Sequence, residues 1–274
     1  MNLLDQCSES LVGRNEKIIL PPLVFQEIVD SQSWFSEVYS LEQIREHFDK
    51  QVQALVMQTM VFGFYPEAYL TENRQKYLLN LVSDYMFKDI LQLGLVKTPE
   101  LLKKLLMLLA FQVGAEVSVN EIAQNLRMSR LTVERYLDLL EETYVIFRVP
   151  SFSSNPRKEI SKNKKIYFYD NGVRNALLNE FSQNPLRPDI GKLWENWVMS
   201  EFLKGNVLSA QPGNLHFWRS RSGSEVDLVV TKGDKINAYE IKWKKRGTSN
   251  RAFSEKYGVP VRLVDSSNPF VADN

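Results

Sequence analysis

Two short runs with embedded charges decide the fold of this chain: Glu225-Val226-Asp227-Leu228-Val229-Val230 and Ala238-Tyr239-Glu240-Ile241-Lys242-Trp243. Both are rich in β-branched and aromatic residues and alternate in polarity, which predicts two adjacent strands. Alternation places Glu240 and Lys242 on one face of the second strand. Charges inside such apolar runs are costly unless a counter-charge or a metal ion meets them, so these residues are candidates for a site.

The apolar residues of the first run indicate which way its acid points. Val226, Leu228 and Val230 are two residues apart, so strict alternation predicts that they share one face and that Asp227 lies on the other. Asp227, Glu240 and Lys242 are therefore expected on one face of the sheet.

A helix is predicted immediately upstream, at about residues 189–204. Its apolar positions have helical spacing: Ile190, Leu193, Trp194, Trp197 and Val198. Glu195 follows Trp194 by about 100° and so lies at the margin of the buried stripe. Strands are predicted at 214–219, 225–231, 236–243 and 259–265, with a second helix at 249–257. The order is αβββαβ.

The middle of the chain predicts three helices followed by a β-hairpin, a pattern typical of a winged helix-turn-helix. Thr98-Pro99, Ser118 and Ser129 mark the helix starts. The third helix is predicted to bury Leu131, Val133, Tyr136, Leu137 and Leu140. The hairpin and the third helix supply candidate DNA-binding cations: Arg157, Lys158, Lys162, Lys164, Lys165, Arg130 and Arg135. A protein-docking or purely structural role for this part is the alternative, because acids crowd the later turns of the third helix.

Composition sets loose limits on location and partners. The formal net charge is +1, so attraction of nucleic acid requires a local basic surface. The single cysteine, Cys7, excludes an intramolecular disulfide framework and fits a reducing compartment. There is neither an 18-residue apolar run nor a signal-peptide pattern. We therefore predict a cytoplasmic protein that makes no membrane contact.

Several segments together resemble a large prokaryotic family of AAA-type ATPases that carry a C-terminal domain of unknown function (the 4143 family). They are residues 11–14 and 20–23, 63–67, 85–90, 165–172 and 218–227. The ordered Glu, Asp and Glu-x-Lys of the C-terminal part resemble the restriction-endonuclease-like superfamily, whose motif is written PD-(D/E)xK. That resemblance implies Mg²⁺ held by Asp227 and Glu240, with Lys242 and Glu195 as catalytic residues.

The resemblance predicts an α+β protein of three parts: a mainly helical ATPase lid remnant (1–95), a winged helix (96–185) and a restriction-endonuclease-like αβββαβ domain (186–274). A phosphate-binding loop requires Gly-x-x-x-x-Gly-Lys-Ser/Thr, and none of the 12 glycines fits it. The chain thus resembles a truncated family member, and we expect neither an ATP site nor ATPase activity.

The predicted function is a DNA-associated module with a Mg²⁺-dependent nuclease-like site. The alternative is a non-catalytic interaction module with a vestigial nuclease fold, whose partner is another protein or a complete ATPase.

Overall fold

The computed structural model describes residues 19–86, 98–153, 164–244 and 251–270. Helices account for 49% and sheets for 18% of the structure, which confirms the predicted α+β class. The first part is helical: α1 (Phe25–Asp30), α2 (Leu41–His47), α3 (Asp49–Phe62), α4 (Pro66–Leu70) and α5 (Arg74–Asn80), followed by a π-helical turn, Leu81–Met86. Gly63 ends α3 with a φ of 75°, a left-handed conformation that glycine adopts without strain.

The middle part contains three helices and a small antiparallel sheet. The helices are α6 (Pro99–Phe111), α7 (Val119–Leu126) and α8 (Arg130–Glu142). The strands are β1 (Glu116–Val117), β2 (Ile146–Val149) and β3 (Lys164–Phe168), in the spatial order β1-β3-β2. Ser118 and Ser129 cap α7 and α8 by accepting backbone N–H groups at 3.3 and 3.1 Å, which fixes where both helices begin.

One predicted core position of α8 is wrong. Leu131 is 67% exposed, whereas Val133, Tyr136, Leu137 and Leu140 are buried. The buried residues recur at intervals of three or four along the helix. Leu131 precedes Val133 by two positions, which is about 200° around the helix, so its side chain points to the opposite side.

A short buried helix, α9 (Asn171–Leu178), joins the parts. Asp170 caps it: one carboxylate oxygen accepts the N–H groups of Gly172 and Val173 at 2.7 and 3.2 Å. The other oxygen accepts the N–H of Phe64 at 2.6 Å, beyond the end of α3. Asp170 is 1% exposed, so one buried carboxylate fixes both the start of α9 and the chain after α3.

The C-terminal part has the predicted αβββαβ order: α10 (Ile190–Leu208), β4 (Asn214–Arg219), β5 (Glu225–Lys232), β6 (Lys235–Lys242), α11 (Arg251–Tyr257) and β7 (Val261–Asp265). The sheet order is β4-β5-β6-β7, and only the β6–β7 pair is parallel. Trp194 and Trp197 of α10 stack at 5.0 Å in a hydrophobic core that runs from Phe25 to Phe270.

A β-bulge changes which residues of β5 share a face. Between two register positions β4 contributes only Phe217, whereas β5 contributes Asp227 and Leu228. The predicted grouping of Val226 with Leu228 and Val230 is therefore wrong. Val226 packs instead with Val229 against Phe253 of α11. Leu228 and Val230 belong to the core on the α10 side.

The two sheets are joined at their edges. Ser151, just after β2, forms a parallel bridge with Phe217 of β4. The N–H of Phe217 donates to the carbonyl of Pro150 at 3.0 Å, and the N–H of Phe152 donates to the carbonyl of Phe217 at 2.5 Å. This junction brings the start of β3 close to the start of β5.

Candidate functional site

Asp227 lies at a fork between two strands. Regular pairing of β5 with β6 reaches only to Leu228 and Tyr239. Beyond that point the Asp227 carboxylate accepts the backbone N–H of Ile241 at 2.8 Å, in place of a main-chain carbonyl. The bulge and this hydrogen bond together hold a mostly buried acid where the sheet opens.

Lys242 connects the two predicted metal ligands. Its ammonium nitrogen lies 2.7 Å from a Glu240 oxygen and 3.5 Å from Asp227 Oδ2. Burial lowers the pKa of Lys242, but the hydrogen bond to Glu240 and the charge of Asp227 outweigh it, so the pKa lies above its ordinary value. Lys242 is half-exposed, and so this ion cluster is open to solvent on one side.

Glu195 of α10 is held by the small sheet. Tyr167 Oη donates to Glu195 Oε1 at 2.7 Å, and Lys165 Nζ lies 3.2 Å from the same oxygen. Burial raises the pKa of Glu195, Lys165 lowers it and Asp227 raises it, and the net direction is upward. Lys165, which pairs with Glu195, also pairs with Glu225 at the start of β5.

Lys165 was predicted to bind DNA, and that prediction is wrong. Its side chain is 4% exposed and lies between Glu195 at 3.2 Å and Glu225 at 2.5 Å. The reason is strand alternation: Lys164 faces solvent, so Lys165 faces the junction of the two sheets with α10. A buried ammonium paired with two carboxylates is not available to a phosphate backbone.

The remaining basic candidates divide into two groups. Lys164, Arg130 and Arg135 are exposed, with Arg130 paired to Glu134 at 3.0 Å. Arg157, Lys158 and Lys162 lie outside the described residues. The acids on the later turns of α8 are partly neutralised, because Asp138 and Glu141 both bind Arg148.

Three neighbours of the site were not foreseen: Tyr167, Glu225 and Gly114. Glu225 binds Arg219 as well as Lys165. Gly114 has a φ of 77°, and a Cβ there would lie 3.3 Å from Glu195 Oε1. The proximity of Gly114 to Glu195 depends on packing between residues far apart in the chain, which the sequence alone does not show.

The donor set fits a hard divalent cation held partly by its substrate. Within the described ranges, no group of three His, Cys, Asp or Glu side chains converges as an all-protein cage. Mg²⁺ is commonly held by one or two carboxylates together with water and substrate phosphate oxygens. Asp227 and Glu240, which contact the same ammonium, supply that smaller set.

Comparison with known families divides the chain near the start of α10. Residues 53–184 match the model of a domain of unknown function, DUF8612. Residues 190–267 match DUF4143. The DUF4143 match is a second domain of unknown function, and it contains Glu195, Asp227, Glu240 and Lys242. The DUF8612 match includes residues on both sides of the predicted boundary at residue 95. The boundaries of the three predicted parts stay predictions.

Curated relatives are uncharacterized proteins from bacteria and an archaeon. One from Haemophilus influenzae is 24% identical over 243 residues, covering 86% of this chain and 55% of its own length. One from Methanocaldococcus jannaschii is 27% identical over 237 residues, covering 83% and 50%. One from Mycobacterium tuberculosis is 27% identical over 163 residues, covering 59% and 36%. The chain thus spans about a third to just over half of these relatives.

No solved structure matches the chain. Among the described helices, none has the length and apolarity that a membrane crossing requires.

Lys165→Met is expected to lower the free energy of unfolding by about 3 kcal/mol, because it leaves partly buried carboxylates without their counter-charge. Lys164→Met, at the exposed neighbour, should change it by less than about 0.5 kcal/mol. Urea unfolding measures both. An equal loss in both variants would contradict this pairing.

The effect of Lys165→Met should also depend on pH. Because the pKa of Glu195 is raised, this residue adds to the free energy of unfolding at low pH, and that stabilisation is lost as pH rises. Lys165 opposes this loss by pairing with the ionised carboxylate, so the decrease in the free energy of unfolding caused by Lys165→Met should be larger at pH 8 than at pH 5.

Proposed function

We propose that the DUF4143 segment carries a Mg²⁺-dependent phosphodiesterase site that acts on nucleic acid. The observation that supports it best is the fork: two carboxylates, Asp227 and Glu240, contact one half-exposed ammonium where β5 separates from β6. Acids that bind a hard cation and a lysine that faces phosphate are the groups phosphodiester hydrolysis needs.

The three residues of the fork, Asp227, Glu240 and Lys242, have different proposed roles. Asp227 and Glu240 would hold the cation, which when bound polarises the phosphate and lowers the pKa of its water. Asp227 is oriented by the Ile241 N–H, so its carboxylate needs little rearrangement. Lys242 has a flexible stem and can turn its ammonium toward the negative charge that develops on the phosphate.

Glu195 is proposed to act from the α10 side of the fork. Its raised pKa favours exchange of a proton nearer neutral pH than an ordinary carboxylate allows. Tyr167 and Lys165 fix its orientation through Oε1. Lys165 and Tyr167 are therefore positioning residues, because they act on the site through Glu195.

The winged-helix part is proposed to associate with DNA through exposed cations. Lys164 and Arg135 are exposed, and Arg130 presents its guanidinium beside Glu134. Contacts of this kind neutralise backbone phosphates without reading sequence, so binding of this origin weakens steeply as salt rises.

Calorimetric titration with Mn²⁺ tests the metal site directly. The wild type should bind one ion saturably, and Asp227→Asn and Glu240→Gln should each weaken binding at least about tenfold, as losing a metal contact does. Asp234→Asn is the matched control, since Asp234 lies in the exposed β5–β6 turn. Equal affinity in Asp227→Asn and Asp234→Asn would exclude the fork as the site.

A non-catalytic interaction module is the second candidate. It is favoured by the internal neutralisation of the cluster: Glu195 and Glu225 bind Lys165, while Asp227 and Glu240 bind Lys242. A wild type that binds no Mn²⁺ but remains folded would favour this candidate, with another protein or a complete ATPase as the partner.

A further inference from the structure

A cavity of about 700 Å³ lies at the N-terminal end of α10, away from the fork residues. The end of α6, the end of α9 and the segment 180–189 complete its walls. Its lining combines apolar side chains with two arginines, and neither the fork nor the proposed hydrolysis uses it.

Two buried guanidinium groups share one carboxylate in this cavity. Arg174 Nη1 lies 2.6 Å from Asp189 Oδ2, and Arg187 Nε lies 2.6 Å from Asp189 Oδ1. Arg187 Nη2 also donates to Asp189 Oδ2 at 3.0 Å. The arginine side chains are 3% and 4% exposed, whereas the aspartate is 25% exposed. Two desolvated cations against one partly exposed anion leave a local surplus of positive charge.

The arginines keep donors for a ligand. Arg174 also donates to the carbonyl of Ala110 at 2.9 Å and to Asn175 Oδ1 at 3.0 Å. The remaining bond of Arg187 goes to the carbonyl of Ser182 at 2.9 Å. Each guanidinium thus makes three hydrogen bonds to the described residues, although a guanidinium carries five N–H donors.

The charged side chains that line the cavity comprise three cations and two acids. Burial lowers the pKa of Arg174, and the nearby Arg187 lowers it further, while Asp189 acts in the opposite direction. Burial raises the pKa of Asp189, but its bonds to the two arginines outweigh this and its pKa is lowered, so it stays ionised at neutral pH. Lys192 adds a third cation to the lining, and the exposed Glu180 adds a second acid.

The opposite walls are apolar and accessible. Phe111 is 60% exposed and Leu186 is 78% exposed, and both line the cavity with Leu178 and Pro188. The volume falls in the range of small-molecule sites, which combine such apolar walls with a few fixed polar groups. An occupant that matches both sides has an anionic end and a flat apolar end.

We propose that this cavity binds a small phosphate monoester with an aromatic or apolar portion. A phosphate dianion presents several acceptor oxygens, and planar guanidinium groups bind them through paired hydrogen bonds. The start of the 19-residue α10 adds a favourable partial charge, while its Gly191 leaves open space with nothing within 4 Å of a Cβ. The apolar portion lies along Phe111 and Leu186.

Phenyl phosphate, inorganic phosphate and phenol are the probes, titrated by calorimetry into the full chain in EDTA so that no cation occupies the fork. Phenyl phosphate should bind saturably. Inorganic phosphate lacks the apolar ring and phenol lacks the phosphate, so each should bind at least about tenfold more weakly. Failure of phenyl phosphate to saturate overturns the proposal, whatever the outcome with Mn²⁺. Equal binding of phenyl phosphate and phenol overturns the role of the arginines.

Two variants locate the site. Arg187→Gln should weaken phenyl phosphate binding at least about tenfold, since it removes a charge-assisted donor. Because Arg187 also contributes to folding, Lys192→Glu provides a second variant at an exposed position. It should also weaken phenyl phosphate binding. Lys235→Glu makes the same charge change at the exposed first residue of β6 and should bind as the wild type does. If Lys192→Glu and Lys235→Glu bind phenyl phosphate with the same affinity, the ligand does not bind in this cavity.

Discussion

Asp227→Asn and Lys242→Met are each expected to reduce Mn²⁺-dependent cleavage of DNA by at least about 100-fold. The first removes the charge of a proposed metal ligand. The second removes the cation proposed to offset the charge on the reacting phosphate, a loss that typically costs two to three orders of magnitude. Cleavage of a labelled duplex and of a labelled single strand, followed over time at equal enzyme concentration, measures both effects.

The substitutions are chosen to leave the fork folded. Asparagine retains an oxygen that can accept the Ile241 N–H, and methionine retains most of the lysine stem. Asp234→Asn in the exposed β5–β6 turn and Lys235→Met at the exposed start of β6 make the same chemical changes and should cleave as the wild type does. Cleavage that survives in both Asp227→Asn and Lys242→Met would come from another site or another protein.

Gly63→Ala is expected to cost more than about 4 kcal/mol of folding free energy, a loss that single substitutions rarely reach. A Cβ on Gly63 would lie 1.9 Å from Asp170 Oδ1, and the φ of 75° is unfavourable for alanine. The carboxylate cannot move aside freely, because it accepts the N–H groups of Phe64, Gly172 and Val173. Thermal and urea unfolding measure the loss.

Gly191→Ala is the matched control for this prediction. Gly191 lies in the first turn of α10 and has nothing within 4 Å of a Cβ. Alanine there should be neutral or stabilising by up to about 1 kcal/mol, because it favours the helix. Similar stabilities for the two variants would show that the contact between Gly63 and Asp170 is not tight in solution.

Local patterns were sufficient to predict most of the architecture. The αβββαβ order follows from short apolar runs separated by turns. The sequence also predicted that Glu195, Asp227, Glu240 and Lys242 form one site. The structure does bring Asp227 and Glu240 to the same ammonium. Their proposed roles in catalysis stay predictions.

The features that the sequence did not reveal depend on contacts between residues far apart in the chain. The bulge that moves Val226 arises from the pairing of β5 with β4, and strict alternation within one strand cannot show it. Lys165 looked like one more cation beside a basic hairpin. Its partners, Glu195 and Glu225, are 30 and 60 positions later, so only the assembled fold shows its burial.

The edge junction at Ser151 and Phe217 has a consequence for how this chain can be divided. A cut between residues 185 and 186 falls between the two family matches, yet it separates Lys165 from its acids and exposes part of a continuous core. Each fragment would keep its secondary-structure signals and lose the surface that those elements pack against. A different C-terminal segment joined to the same first part would fit only if it again placed carboxylates opposite Lys165 of β3.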